Sequence, residues 1–482
     1  MSIEQETAIK HRPAADRQSP ASPSDVLTRA GLPHEAVAAW LAGGGAVSGD
    51  YRRDAESFSR QWRVGADLIA KLPPKPQRSQ AVAEAASLIL ERDRKARERF
   101  LTAHAETVYR RLTDDLTKFK RVEHLVHDAA VAVPGLAPDK ALLSRESALM
   151  QAEKDGAEID QGLFLSQVLA RADCGMHLCH AMLLPRPEIE EWTGRFASGE
   201  KLSFEGATLE RQGKAAVVTM RNLRFLNAED EATLDGLEFA IDIATLDPKS
   251  EIAILRGDVV EHSKYRGRRL FSAGINLTHL YHGKISYVWY IKRDMGLVNK
   301  LLRGVACTDA SPDELYGGTT EKPWIGAVDG FAIGGGCQLL LVLDYVLAAS
   351  DAYMTLPARK EGIIPGVANL RLWRFTGDRL ARQGILYGRR FDCDTPEGRA
   401  ICDEVVPPAS MDAALDRVVA NFTSSGVVSA ASNRRAFRVG EEPLDLFRRY
   451  MAVYAREQAY CHFSPALIAN LERHWNAQNR TP

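Results

Sequence analysis

No apolar run in this chain approaches the ~20 residues that a membrane-crossing helix needs. The longest, around Leu339–Ala349, is interrupted by Asp344. Neither sign of charge is in excess: 62 basic residues stand against 63 acidic ones, a formal net charge of -1. That balance gives no electrostatic reason to expect nucleic acid or an anionic membrane as a partner. Cysteine is scarce and odd in number, 7 residues without a paired framework, which suits a reducing compartment. The N-terminus lacks the apolar stretch of a signal peptide. Together these absences predict a cytoplasmic protein.

Several catalytic signatures are missing as well. There is no G-x-G-x-x-G after a strand, no phosphate-binding G-x-x-x-x-G-K-[ST], no G-x-S-x-G elbow and no H-E-x-x-H. The segment Cys174–His180, CGMHLCH, offers thiols and imidazoles close together. No second ligand pair at zinc spacing follows it. Its setting is helical, where buried cysteine is common, so no metal is expected.

What is present divides in two. Residues 1–24 are rich in Pro, Ser and charge and read as a disordered tail. Residues 25–200 read as a helical N-terminal domain. Arg78–His127 has apolar residues at helical spacing and no Gly or Pro, as one long helix or two. Ala141–Leu184 continues as helix and is closed by Pro185 and Pro187. Near Leu202 the period changes. Ala215–Met220 and Ile252–Arg256 read as strands flanking a helical Glu229–Leu246, a parallel βαβ unit. Trp324–Ile333 and Tyr345–Ala349 extend the alternation, with a helix-like segment over Gln338–Leu347. From about Thr376 the chain is helical again. Residues 201–482 therefore read as an α/β catalytic domain with a helical C-terminal part.

Two glycine turns stand out. Phe331–Leu339 reads FAIGGGCQL: an apolar run, three glycines, then a helix start. That geometry presents backbone N–H groups to an anion, and side chains would block the approach. Phe271–Leu277, FSAGINL, is a second Gly-containing turn after a strand-like run. Two turns from separate parts of the chain supply the two donors of an oxyanion hole.

In these motifs the chain resembles the crotonase, or enoyl-CoA hydratase/isomerase, superfamily. Arg224–Ala228 (RFLNA), FSAGINL, FAIGGGCQL, Gly362–Gly366 (GIIPG) and Thr376–Arg379 (TGDR) match its motifs in order. The resemblance implies a ββα spiral fold that binds acyl-CoA. It implies that the thioester oxygen is held by the N–H groups of Ile275 and Gly335, flanked by Gly334 and Gly336. Arg224 matches a position contacting the phosphate or adenine end of CoA. Ala273, Asn276 and the backbone around Leu277 match the groove. Family members form trimers or hexamers, so a homo-oligomer is expected on the same ground.

The departures are equally informative. Hydratases of this superfamily use two glutamates as acid and base; here those positions hold Gln338 and Ala358. Neither side chain exchanges a proton near neutral pH. The chain thus keeps the means to stabilise a thioester enolate but lacks the groups that add water. One branch of the superfamily fits: aryl-acetyl-CoA dioxygenases that work without metal or flavin and carry a large helical region before the core. That resemblance implies acyl-CoA and O₂ as substrates and no cofactor. It places Glu229 and Arg293 at ring hydroxyls, Gln338 against substrate or peroxide, and Leu277 and Ile363 in an apolar pocket for O₂.

Overall fold

The computed structural model describes residues 22–43, 46–187, 189–311, 318–425 and 428–482. Most of the expected tail lies outside the described residues. A helix, Pro23–Arg29, already begins inside its last positions. Ser22 caps it by accepting from the Asp25 N–H, while the Asp25 carboxylate accepts from the Ser22 N–H.

Up to Ala197 the described chain is helical. The Arg78–His127 stretch is two helices, Gln80–Leu112 and Val122–Ala132, and not one. The break is made without Gly or Pro. Asp114, Asp115 and Leu116 all take left-handed backbone angles (φ 50, 53 and 65). Ala141–Leu184 likewise divides, into Lys140–Ser147, Ile159–Ala170 and Ala172–Leu183. Gly156, at φ 83, turns the chain before the second of these.

Among the described residues twelve strands follow: β1 (Leu202–Phe204), β2 (Ala207–Gln212), β3 (Ala215–Met220), β4 (Ile252–Gly257), β5 (Val305–Ala306), β6 (Thr319–Thr320), β7 (Trp324–Val328), β8 (Phe331–Ile333), β9 (Tyr345–Ala349), β10 (Tyr353–Thr355), β11 (Arg390–Asp392) and β12 (Glu404–Val406). The main sheet runs β1-β2-β3-β4-β7-β9-β12. It is antiparallel through β1–β3 and parallel from β3 onward. A second sheet, β11-β10-β8, lies along the turns that leave the first. Helix Glu231–Leu246 makes the β3-to-β4 crossover.

Three local expectations are corrected. The apolar run Trp324–Ile333 is two strands, because the chain turns at Gly330 (φ 67) and passes from one sheet to the other. The helix-like Gln338–Leu347 is a short helix, Gly335–Leu340, followed by β9. Asp344 ends the helical stretch by tying back to β7: its carboxylate accepts from the Trp324 N–H at 2.7 Å. The segment leading into Phe271–Leu277 is not a regular strand. A single bridge, Val259 to Arg269, holds it, and two more, Ser272 to Ala332 and Glu229 to Ile275, hold the turn itself.

One hydrophobic core runs from Phe58 in the helical region to Leu471 near the C-terminus. The helical region is therefore packed into the α/β part. Helix Ile159–Ala170 lies against helix Leu444–His462, where Gly162 meets Ala455 and Ala459 closely enough to exclude a Cβ. Glu158 accepts from the Tyr287 N–H at 2.7 Å, and Tyr287 donates to the Ala455 carbonyl at 2.7 Å. Helix Tyr287–Lys292, which borders the site, is thus held between the two regions. Among the described residues no helix is long and apolar enough to cross a membrane.

Candidate active site

The two glycine turns meet. A Cβ added to Gly274, which sits at φ 80, would lie 2.9 Å from the Gly335 nitrogen and 2.6 Å from the Ile333 carbonyl oxygen. Only glycine permits both the angle and the approach. Gly336 packs against Ser272 in the same way, leaving 2.9 Å for a Cβ. Ser272 knits the first turn: its hydroxyl donates to the Asn227 carbonyl at 2.9 Å and accepts from the Gly274 N–H at 3.0 Å. Glu229 N–H donates to Gly274 O, and Asn276 N–H donates to Glu229 O, which leaves the Ile275 N–H between them unused. Gly335 is the first residue of its helix, and its N–H is one of the helix-start donors without an intrahelical acceptor. Among the described residues, neither the Ile275 nor the Gly335 N–H donates to a protein acceptor. Two adjacent, unspent backbone donors are what an oxyanion needs.

Arg293 braces this arrangement from below. It opens a π-helical turn, Arg293–Val298, within the otherwise α-helical course from Tyr287 to Arg303. All five of its N–H donors are spent. Nε and Nη2 grip the two Glu229 oxygens at 2.6 and 2.9 Å. Nη1 donates to Asp294 at 3.1 Å and to Gln338 Oε1 at 2.8 Å. Nη2 also donates to the Gly335 carbonyl at 3.0 Å. Burial opposes the guanidinium charge, but Glu229 and Asp294 outweigh it and raise the Arg293 pKa. Burial pushes the Asp294 carboxyl up against the pull of Arg293 and Arg371. Because Gln338 Oε1 is committed to Arg293, its amide –NH₂ is the part left for a ligand.

Two cavities adjoin at the turns. An outer groove of about 400 Å³ is lined by Arg224, Lys264, Tyr265, Ala273, Leu277 and Arg480 among others. An inner pocket of about 30 Å³ is lined by Trp289, Tyr290, Arg293, Gln338, Ile363 and Tyr454 among others. The inner space holds little more than one water-sized molecule, so an aryl ring must displace lining side chains to enter. Trp289 and Tyr290 line this wall, and among the described residues the Tyr290 hydroxyl and Trp289 Nε1 are buried without a hydrogen-bond partner.

The structure brings Ile275, Gly334, Gly335, Gln338, Arg293 and Ile363 to the inner pocket; Glu229 is held on Arg293 and lines neither cavity. Arg224 is exposed on the outer rim, its guanidinium 4.9 Å from the centre of the Phe225 ring. Leu277 and Ile363 do not share a cavity: Leu277 lines the groove and Ile363 the pocket. The Asn276 side chain is taken up by the fold. It caps helix Leu277–Tyr281 and donates to Asp230 at 3.0 Å. The cysteines and histidines of Cys174–His180 are buried in helix Ala172–Leu183, and His177 pairs with the Tyr109 hydroxyl at 2.8 Å. Among the described residues no three His, Cys, Asp or Glu side chains are placed to share a metal ion.

Sequence reasoning passed over Asp294, Tyr290 and Glu361. Glu361 is buried and lies in the four-residue helix Ala358–Glu361. The available signal was its spacing from Ala358: residues three apart share a helix face.

A mixed, mostly parallel sheet with a smaller companion sheet and two converging glycine turns defines an acyl-CoA enzyme scaffold. Residues 210–442 match the family model described as Enoyl-CoA hydratase/isomerase, and the chain belongs to that family. A (3,5-dihydroxyphenyl)acetyl-CoA 1,2-dioxygenase from Amycolatopsis orientalis is 48% identical over 394 residues, which is 82% of this chain and 89% of that protein. A short-chain-enoyl-CoA hydratase from Clostridium acetobutylicum is 27% identical over 241 residues, 50% of this chain and 83% of the relative. An enoyl-CoA hydratase structure from Mycobacterium avium subsp. paratuberculosis K-10 superposes with a TM-score of 0.46 at 20% identity, covering 56% of this chain and 98% of that one.

Proposed function

We propose that this chain is a dioxygenase that converts (3,5-dihydroxyphenyl)acetyl-CoA and O₂ to 3,5-dihydroxyphenylglyoxylate and CoA, without metal or flavin. The observation that carries this reading is the extent of the similarity. The dioxygenase match covers 394 residues, more than the chain from β1 onward contains, and so runs into the helical region. The hydratase match covers 241 residues. The site agrees: Gln338 and Ala358 replace the acid–base pair of a hydratase, while both oxyanion donors remain.

In this reading the CoA moiety lies along the groove past Arg224 and the aryl group enters the inner pocket. The thioester oxygen accepts from the Ile275 and Gly335 N–H groups, which favours loss of an α-proton. The enolate, conjugated with the electron-rich ring, passes one electron to O₂. The two radicals combine to an α-peroxide. Its terminal oxygen attacks the thioester carbonyl and expels CoA thiolate, closing a four-membered peroxide. Loss of the second α-proton then forms the keto group as the O–O bond breaks. The carbanion supplies the electrons that a cofactor otherwise would. The Gln338 –NH₂, without a partner among the described residues, is set to donate to the peroxide. The unpartnered Tyr290 and Trp289 donors, on residues that line the pocket, are set to meet the ring hydroxyls.

The product is a keto acid, and the reading places it as a precursor of dihydroxyphenylglycine for glycopeptide-antibiotic biosynthesis. It also includes a homo-oligomer, trimer or hexamer. Exposed Trp373, Phe437 and Val439 (50%, 65% and 61%) support this, since such residues on a free surface favour association. A cytoplasmic setting suits the seven free thiols.

The test is O₂ uptake by chelator-treated, flavin-free protein given this thioester, with free thiol followed in parallel. Uptake matched one-to-one by CoA release is the expected result. CoA release without O₂ uptake would make the protein a thioesterase on the same oxyanion hole.

A further inference from the structure

Two residues, Ile275 and Glu361, line both the outer groove and the inner pocket. Ile275 marks the oxyanion side of that junction. With the thioester oxygen on the Ile275 and Gly335 N–H groups, CoA in the groove and the ring in the pocket, the α-carbon sits at the junction. Glu361 is the other residue facing it. No hydrogen bond or ion pair to its carboxylate is found among the described residues, although the residue is only 5% exposed. A buried carboxylate left unpaired is costly for folding, so its placement calls for a ligand. Glu361 also lies one helical turn after Ala358, the position where hydratases of this family carry a glutamate, and both residues line the inner pocket.

We propose that Glu361 is the base that takes the α-proton of the bound thioester, an assignment that rests on the enolate reading above. The carboxylate accepts the proton. The C–H electron pair moves to the thioester oxygen, where the two backbone donors hold it. After O₂ adds and the peroxide closes, the Glu361 carboxyl returns that proton to the departing CoA thiolate. The restored carboxylate then takes the second α-proton as the O–O bond breaks. One hydrogen leaves on the thiol and the other passes to solvent, which balances the overall conversion.

Burial pushes the Glu361 carboxyl up to about 7, which matches a base working near neutral pH. Among the ionisable groups on the surrounding elements, Tyr290 is close enough to feel the Glu361 charge, and none of them pairs with it. Arg293 and Asp294 are paired with one another and with Glu229 and Gln338. Tyr290 and Tyr454 are held neutral by burial. Arg359 and Lys360 on its own helix point to solvent. Helix Pro465–Trp475, packed on that helix, presents Leu467 and Asn470 beside Gly362.

The experiment is α-hydrogen exchange in D₂O without O₂, using (3,5-dihydroxyphenyl)acetyl-CoA, on wild type, Glu361→Gln and Glu361→Asp. Thioester binding is measured on each by calorimetry. Wild-type exchange should rise with pH to a plateau above about 7. Glu361→Gln should bind the thioester but exchange at least ~10³-fold more slowly, without that rise. Glu361→Asp should recover part of the rate and keep the pH profile, which separates chemistry from folding. Near-wild-type exchange per bound thioester in Glu361→Gln overturns the assignment, including where binding of the dihydroxy ring is weakened. Wild-type exchange without O₂ uptake in air, lost in Glu361→Gln, supports the base while removing the dioxygenase reading. A wild type that neither exchanges nor consumes O₂ overturns both.

Discussion

Arg293 holds Glu229 through two parallel hydrogen bonds, 2.6 Å from Nε and 2.9 Å from Nη2. The same guanidinium supports the Gly335 carbonyl, so the ion pair fixes one half of the oxyanion hole. Arg293→Lys removes the fork and leaves Glu229 buried with a single donor at best. Breaking a buried pair costs about 3–5 kcal/mol, and a misplaced oxyanion donor costs ~10²-fold or more in turnover. Urea unfolding and O₂ uptake check the two effects. Glu229→Gln added to Arg293→Lys should cost much less than it does alone, because the two residues act as one unit.

Gly335→Ala tests the hole directly. The new Cβ would lie 2.7 Å from Glu229 Oε1 and 3.0 Å from Arg293 Nη2. Both atoms are locked in the pair and cannot withdraw, so the Gly335 N–H must move instead. Steady-state kinetics should show kcat down by about 10²–10³-fold with KM little changed, the mark of a contact used mainly in the transition state. Equal losses in binding and turnover would mean that the turn has collapsed.

The groove makes a different prediction. Arg224 and Lys264 line it, and Arg224 is exposed to solvent. Arg224→Ala and Lys264→Ala should each raise KM for the thioester about 3–5-fold and leave kcat alone, as expected of exposed charge pairs. The effect should shrink between low and high salt, where exposed charges are screened.

The parts of this molecule written in contiguous residues were legible in the sequence. β3, β4 and the helix between them follow from apolar spacing alone. The two glycine turns could be found because close backbone approach demands a residue type. Relations made across the fold were not legible. Nothing in Leu339–Leu347 says that Asp344 turns back to cap β7, and propensity extends the helix through it. The break after Leu112 uses Asp114, Asp115 and Leu116 in left-handed angles, a choice made by packing and not by a glycine. Arg293 could be singled out, but not that all its donors are consumed, since its partners Glu229, Asp294, Gly335 and Gln338 come from three places in the chain. Glu361 has no motif to mark it: the position that matches the family's glutamate is Ala358, and the carboxyl stands one turn further on.

That displaced carboxyl leaves a signature in stability as well as in rate. Burial raises Glu361 from an ordinary 4.5 to about 7. The folded chain therefore binds this proton more tightly than the unfolded chain does. Its contribution is fully present below about 4.5 and is lost as pH climbs through the folded value near 7. Glu361→Gln mimics the protonated group and carries no such loss. Wild type should fall behind the variant by about 1.4 kcal/mol per pH unit across that window, on the order of 3 kcal/mol in all, and the gap should then stay constant. Glu158, also pushed up to about 7 by burial, and His180, held down to about 4, titrate in both proteins and cancel in the difference. Urea unfolding of the pair from pH 4.5 to 8 measures it. Parallel curves would mean that Glu361 is already ionised and compensated in the folded chain, and a carboxylate so stabilised would be too weak a base for an α-carbon.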